Sequence, residues 1–371
     1  MATRFQISEE REALFQKAVE ELQHRIQVYH LNDRFDLPPE YEGILAIDAS
    51  KVPGCHYSVD NVFARIIRRL EEQGVKIGDK YIQVTPENTI LFESSSGNAW
   101  VAFVNAARKL GYECRVIMPD GLPEPRYQHP DGSKIDIIRT PKEEYVLGMP
   151  KKMKELVIQN RQRLAEGKKI FVSPNHSIYG ADITVKAMGT MIDQLVEEYD
   201  GLVDKLFVSM GNGASACGLG ESVKAKFPTA KVYVTESFAY GGGWDKFAKR
   251  KGLPSYLELY GIEPGSLMAH FKEIGTNAPI GIELPLQERA LKIIDEYVLI
   301  TNQDVLNAFK QTHPSLEKLE RVHKLPKWDN APAILYLNYG NSSLGNIMAA
   351  VHNLKPGETC AVTIYDGRSN Y

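Results

Sequence analysis

Leu206-Phe-Val-Ser-Met-Gly-Asn-Gly-Ala-Ser-Ala-Cys-Gly-Leu-Gly220 is a strand turning into a helix. The apolar run from Leu206 to Met210 predicts a buried strand. It breaks at Gly211 and Gly213, and helical spacing then runs from Ala214 to Phe227. Such a turn leaves several backbone N–H groups directed at one point. The helix dipole adds partial positive charge there, which favours a phosphate or a carboxylate. Ser215 adds a hydroxyl donor at the helix start. The pattern fits equally a tight turn with no ligand, because Gly-x-Gly after a strand is a loose signal.

Two more stretches have the same form. Thr89-Ile-Leu-Phe92 predicts a strand, and Glu93-Ser-Ser-Ser-Gly-Asn98 then opens a helix to Leu110. Ile334 to Leu337 predicts a strand, and Gly340-Asn-Ser-Ser-Leu-Gly345 opens a helix to Asn353. Further strands are expected at Ile44–Ile47, Cys114–Met118, Lys134–Arg139, Ile170–Pro174, Lys231–Thr235, Val298–Thr301 and Thr359–Ile364. Helices are expected from Ser8 to Tyr29, from Ser58 to about Gln73 and from Asp182 to Tyr199, with Ser8 and Ser58 as N-caps. Strand and helix alternating at this spacing mean parallel sheets covered by helices, an α/β fold. In such sheets ligands bind at the carboxyl ends of strands, where all three hydroxyl- and glycine-rich turns fall. Residues 141–168 are charged and helical, and read as a surface excursion leading to a domain boundary.

A chain of 371 residues is long enough for two domains or one large one. Its apolar and charged fractions, 43% and 25%, are those of a soluble globular protein. A net charge of −3 without single-sign runs argues against nucleic acid or an anionic membrane as partner. No apolar run reaches the length of a membrane span, and the polar Met1 to Gln16 is not a signal peptide. Cys55, Cys114, Cys217 and Cys360 lack metal-ligand spacing, so reduced thiols in the cytoplasm and no metal site are expected.

These motifs, in this order, resemble the cysteine synthase branch of the pyridoxal-phosphate (PLP) enzymes, the fold type II group that includes the tryptophan synthase β-subunit. Ser95, Ser96, Gly97 and Asn98 are similar to that family's Thr-Ser-Gly-Asn loop, which holds the substrate carboxylate. Met210-Gly-Asn-Gly-Ala-Ser215 resembles its phosphate cup, so Gly211, Asn212, Gly213, Ala214 and Ser215 stand as cofactor-binding residues, with Asn98 and Gly367 beside them. Ile293 to Asn302, Tyr339 to Gly345 and the chain end from Lys355 resemble three further segments of the family. The resemblance implies two α/β domains, each a mostly parallel twisted sheet under helices. Residues 43–168 would form the N-terminal domain, and residues 1–42 with 169–371 the C-terminal one. It also implies a homodimer working in amino-acid metabolism.

The departures bear on chemistry. The family's Ser-x-Lys-Asp-Arg supplies the lysine that holds the cofactor covalently. The matching helix start here is Ser58-Val-Asp-Asn-Val62, so Asp60 stands where lysine is expected. A carboxylate cannot condense with an aldehyde, and two neighbouring anions cost free energy unless one is protonated. Lys51, seven residues before Ser58, is the outside candidate. Where the family sets a Ser or Thr against the pyridine nitrogen, Tyr365-Asp-Gly-Arg368 offers Gly367, with Ser369 two residues on.

Four readings follow. The first is a fold type II relative that binds a phosphate- or carboxylate-bearing small molecule, PLP non-covalently among them, with catalysis lost or altered. The second is an active PLP-dependent lyase or transferase on amino acids using Lys51 or another lysine. The third is a nucleotide-binding dehydrogenase, from Gly211-x-Gly213 with Glu236 ending the next strand; Ala216 breaks that fingerprint. The fourth is a scaffold or regulatory subunit with no ligand. Secondary candidates are His56, Tyr57 and Cys55 before the Ser58 helix, Asn175 and His176 after Pro174, and an Asp366–Arg368 turn ion pair. Tyr240-Gly-Gly-Gly-Trp244 fits either a lid or a surface turn.

Overall fold

Apolar runs bounded by glycines and helices become twelve strands among the described residues of the computed structural model, which are 4–95, 97–268, 285–312 and 325–367. In chain order they are β1 (Gln27–His30), β2 (Ile44–Asp48), β3 (Val75–Ile77), β4 (Lys80–Ile82), β5 (Thr89–Ser94), β6 (Glu113–Pro119), β7 (Asp136–Thr140), β8 (Ile170–Val172), β9 (Lys205–Ser209), β10 (Lys231–Ser237), β11 (Glu296–Ile300) and β12 (Cys360–Ile364). The chain divides into two units. One takes Met1–Arg25 and Val52–Ala187, the other Ile26–Lys51 and Met188–Asn370.

The first unit holds a four-stranded parallel sheet, ordered β7-β6-β5-β8. Ile90, Phe92, Ile117 and Phe171 of this sheet pack with Met149 and Leu156 of the helix Tyr145–Ile158. That helix belongs to the crossover from β7 to β8, so residues 141–168 are not a surface excursion: two apolar side chains anchor them to the sheet. A two-stranded antiparallel ribbon pairs β3 with β4, each only three residues long and too short to show an alternating pattern.

The second unit holds a six-stranded sheet, ordered β1-β2-β12-β9-β10-β11. All strands but β1 run parallel, so their carboxyl ends lie along one edge. Every residue of β2, β9 and β12 is buried, as continuous apolar runs in a two-sided parallel sheet require. Leu344, Ile347 and Ala350 of the helix Asn341–Asn353 pack on Phe207, Val362 and Ile364.

Four sequence expectations differ from the structure. The first helix spans only Glu9–Leu22, because Gln23 turns extended and the following residues pair as β1 with β2. Ser8 does cap it, accepting the Arg11 N–H at 3.2 Å. Ser58 caps nothing: it ends a 3₁₀ turn, and the next helix is Val62–Gln73, entered through Asn61 in the left-handed region at φ 44°. Ile334–Leu337 lies in a helix, Ala333–Asn338, started by Pro332, whose carbonyl accepts the N–H of Leu335 at 2.9 Å and Tyr336 at 3.1 Å. The unit limits at residues 25/26, 51/52 and 187/188 also differ from the boundaries at 42/43 and 168/169. The helix Glu9–Leu22 packs on Val62–Gln73 and Ala99–Lys109, which ties the N-terminus to the first unit.

Candidate functional site

In the second unit β9 stops at Ser209 and the helix Ala214–Lys226 begins. The turn depends on Gly213, whose φ of 95° suits glycine and whose absent Cβ would lie 2.7 Å from the backbone of Leu286 and Gln287. Gln287 braces the loop: its Nε2 donates to the Gly211 carbonyl at 2.6 Å, and its Oε1 accepts from Lys246 Nζ at 2.9 Å. Asn212 Oδ1 accepts the Ala214 N–H at 3.0 Å. Among the described residues, no hydrogen bond takes the N–H of Gly211, Asn212, Gly213 or Ser215. Those donors at a helix N-terminus form a cradle for an anion.

β12 lies beside β9, which brings the chain end to the same edge. Gly340 precedes the helix Asn341–Asn353, and its N–H donates to the Asp366 carbonyl at 3.0 Å. Ser343 Oγ accepts the Tyr365 N–H at 3.0 Å and lies 3.5 Å from Asp366 Oδ1. Gly367 pairs with Tyr339 in an isolated bridge. Arg368 and Ser369 lie outside the described residues, as does the expected Asp366–Arg368 pair. Beneath the cup runs a buried polar network. Asn346 Oδ1 accepts from the hydroxyls of Ser209 at 3.0 Å and Thr235 at 2.5 Å, and its Nδ2 donates to the Thr363 carbonyl at 3.0 Å. The Tyr365 hydroxyl accepts the Ser209 N–H at 3.2 Å and shares a hydrogen bond with Ser215. Burial pushes its pKa up to about 12, so it stays protonated.

In the first unit β5 ends at Ser94, and the loop to Ala99 opens the helix Ala99–Lys109. Ser95 Oγ accepts the Gly97 N–H at 3.2 Å, and the Ser95 N–H donates to the Ile117 carbonyl at 3.2 Å. A Cβ on Gly97 would meet nothing within 4 Å. Asn98 is the N-cap residue, and its side chain makes no cap hydrogen bond, which leaves the amide for another partner. Ser96 lies outside the described residues. At the loop root Glu93 is fully buried, with Oε1 3.1 Å from the Ser94 N–H and 3.5 Å from His176 Nε2. Burial alone would lower the His176 pKa, but its hydrogen bond to Glu93 and that carboxylate's charge raise it overall. Asn175 Oδ1 accepts from the Thr184 hydroxyl at 3.5 Å.

Asp60 lies ahead of the helix Val62–Gln73 rather than in its first turn. Its carboxylate accepts from Arg65 Nη2 at 2.7 Å and its carbonyl from Arg65 Nε at 2.9 Å. Lys51 is exposed in the turn after β2. The His56 ring packs on Tyr57 with centroids 4.5 Å apart, and burial lowers its pKa to about 3. Cys55 is buried, and the four cysteines form no disulfide. The phosphate end of a PLP molecule fits the cradle of free N–H donors and the Ser215 hydroxyl.

Tyr240-Gly-Gly-Gly-Trp244 is neither lid nor surface turn. It is buried and opens the helix Gly242–Lys251, and a Cβ at Gly243 would lie 2.0 Å from the Tyr297 hydroxyl oxygen. Glu236, the acidic residue of the dehydrogenase reading, is committed here: its carboxylate accepts the N–H groups of Gly243 at 2.9 Å and Trp244 at 3.0 Å. Sequence reasoning missed Tyr365, Asn346, Gln287 and Glu93. Asn346 had a visible signal, a polar residue between Leu344 and Ile347 on an apolar helix face. Gln287 had none, since only the fold brings it to the cup.

The sequence profile of the family described as pyridoxal-phosphate dependent enzyme matches residues 60–312. The chain is 27% identical over 187 residues to a probable cysteine synthase of Bacillus subtilis (strain 168), covering 48% of this chain and 53% of that protein. It is 25% identical over 213 residues to a cysteine synthase of Staphylococcus aureus (strain Mu50), covering 56% and 61%. The chain thus spans little more than half the length of these curated relatives. Among solved structures it is similar to a hydrogen sulfide-producing enzyme from Fusobacterium nucleatum, with TM-score 0.62, 17% identity and coverage of 95% and 98%. An O-acetylserine dependent cystathionine β-synthase from Helicobacter pylori gives TM-score 0.59, 16% identity and coverage of 99% and 98%. At such identities the likeness concerns the fold. With the family match covering well over half of the chain and its parallel-sheet α/β fold shared with cysteine-synthase-like structures, the chain belongs to the pyridoxal-phosphate dependent enzyme family, in its fold type II branch.

Proposed function

We propose that this chain binds pyridoxal phosphate, or a similar phosphate- or carboxylate-bearing molecule, without a covalent link, and that the family's lysine-dependent chemistry is lost or altered. The observation that carries this reading is Asp60, ion-paired with Arg65 where the family resemblance calls for a lysine. Pyridoxal phosphate, when bound, supplies an electron sink for reactions at an amino-acid α-carbon. The protein's part would be to hold it. Gly211, Asn212, Gly213 and Ser215 offer backbone donors to the phosphate, Ala214 begins the helix behind them, and Ser215 adds its hydroxyl. Ser95, Ser96, Gly97 and Asn98 would hold an amino-acid carboxylate, with Asn98 a candidate cofactor-binding residue by the family resemblance alone. Gly367 brings no side chain to the pyridine nitrogen.

Loss of a positioned general base alone lowers rates by roughly two to four powers of ten. The reading includes a homodimer in the cytoplasm and neither nucleic acid nor membrane as partner. No helix among the described residues is long and apolar enough to cross a membrane.

The test is an absorption spectrum before and after addition of pyridoxal phosphate. The expected result is no absorption band of a lysine-bound cofactor, loss of bound pyridoxal phosphate on dialysis, and no borohydride-fixed adduct on the Lys51 peptide. A stable adduct on Lys51 overturns the reading in favour of an active lyase or transferase. Asp60→Lys is the complement: with the rest of the site intact, it gains the missing band.

A further inference from the structure

The proposed function leaves Gln287 and Lys246 without a part. Gln287 is fully buried; its Nε2 donates to the Gly211 carbonyl at 2.6 Å and its Oε1 accepts from Lys246 Nζ at 2.9 Å. The lysine settles which way round the amide stands. An ammonium has donors only, so the amide oxygen must face it and the amide nitrogen must face the loop. The acceptor that this nitrogen meets is the carbonyl of the Gly211–Asn212 peptide. A trans peptide is planar, with its carbonyl and N–H on opposite sides, and none of the described peptide bonds is cis. The Asn212 N–H therefore points away from Gln287, and no hydrogen bond among the described residues takes it. Glycine and asparagine are also the residues between which a peptide turns over at least cost. Glycine accepts almost any ψ, and asparagine tolerates the positive φ that a turned-over peptide gives it. Turned over, this peptide would direct its carbonyl at the anion.

We propose that Lys246 and Gln287 are positioning residues of the cup: the lysine fixes the Gln287 amide, the amide holds the Gly211 carbonyl, and the Asn212 N–H is thereby kept facing the bound anion. The inference rests on the reading of residues 211–215 as a phosphate cup. Two arrangements of peptide and amide are self-consistent. In one, the Gln287 nitrogen donates to the Gly211 carbonyl, and the Asn212 N–H remains for the ligand. In the other, both groups have turned over: the Gln287 oxygen accepts the Asn212 N–H, and the Gly211 carbonyl faces the anion. The second sets the Gln287 nitrogen against the Lys246 ammonium, donor to donor, so the lysine excludes it. The cup is then held in the form that suits a fully ionised phosphate, which only accepts.

The test measures affinities for pyridoxine phosphate and for pyridoxine by equilibrium dialysis on the full chain. Both probes lack the aldehyde that reacts with surface lysines, and only the first has the phosphate. Gln287→Met removes the brace without changing charge, and is expected to lose about tenfold in affinity for pyridoxine phosphate, the scale of one hydrogen bond to a charged group. Gln287→Glu keeps the shape but only accepts, so Lys246 and a turned-over Asn212 N–H satisfy it together. It should bind pyridoxine phosphate more weakly than Gln287→Met does. That order should persist in 1 M potassium chloride, where the screening length is about 3 Å and simple charge repulsion fades. Lys246→Met should fall between the parent and Gln287→Met. Lys246→Arg, which keeps a cation with donors only, should stay closer to the parent than Lys246→Met. Pyridoxine should bind all these proteins alike. The inference is overturned, while the cup survives, by parent affinity in Gln287→Met or Lys246→Met, by a reversal of either order, or by an equal loss for pyridoxine. A parent chain that binds pyridoxine phosphate no better than pyridoxine removes the cup reading itself, and the inference with it. Should Gln287→Met fail to fold, Lys246→Met leaves the buried side chain in place and decides the matter by the same criterion.

Discussion

Gly213 carries the cup geometrically, and this governs how the site is best probed. A charge placed there, as in Gly213→Asp, looks from the sequence like a direct test of anion binding. The structure gives a different expectation, because any side chain at Gly213 meets the backbone of Leu286 and Gln287 at 2.7 Å with φ at 95°. Gly213→Ala combines a left-handed penalty of about 1 kcal/mol with overpacking of roughly 1–3 kcal/mol. The expected loss is therefore about 2–4 kcal/mol in urea denaturation, without any charge being introduced. A loss below about 1 kcal/mol would mean that the loop yields and that Gly213 is not structurally required. Ser215 lacks this difficulty, since its hydroxyl can be removed while its Cβ stays.

Helix starts show where the sequence stops being legible. The buried strands were read from their apolar runs, because burial on both faces of a parallel sheet leaves little else in composition. The turns that follow β5 and β9 are legible for a related reason, since glycines and hydroxyls gather where a strand breaks into a helix. The start of the helix Val62–Gln73 is not. Ser58 has the composition of an N-cap, yet the chain enters the helix through Asn61, whose Nδ2 donates to the buried Ala18 carbonyl at 2.8 Å. That partner lies 43 residues away, and no local pattern announces it. The same holds for Tyr365 and Asn346, whose roles depend on β12 lying beside β9. Asn61 yields an ordered expectation. Asn61→Ala loses both the left-handed tolerance of asparagine and the donor to Ala18, together about 2–4 kcal/mol. Asn61→Gly keeps the backbone conformation and loses only the donor, so its melting temperature should fall less. The reverse order would show that the left-handed backbone costs alanine nothing there, so that the hydrogen bond is the whole of the asparagine's contribution.

At the scale of the whole molecule, two histidines of the first unit pull stability in opposite directions with pH. Burial lowers the pKa of His56 from 6.5 to about 3, so between those values the unfolded chain takes up a proton that the folded chain refuses. Stability therefore falls as pH drops below about 6.5. His176 is the opposite case. Burial opposes its charge, but Glu93 raises its pKa above 6.5 overall. Its contribution is complete below about 6.5, where histidine is charged in both states, and is lost as pH rises through the raised folded value. The two effects together place a stability maximum near the ordinary histidine pKa, with a separate cause for each limb. His56→Phe should flatten the acid limb, and His176→Gln, which keeps a donor toward Glu93 without the charge, should flatten the other. Urea midpoints measured from pH 4 to pH 8.5 on the two variants and the parent separate them, because carboxylates that also titrate on the acid side cancel in the difference. If His176→Gln leaves the upper limb as steep as before, Glu93 is not holding a proton on His176.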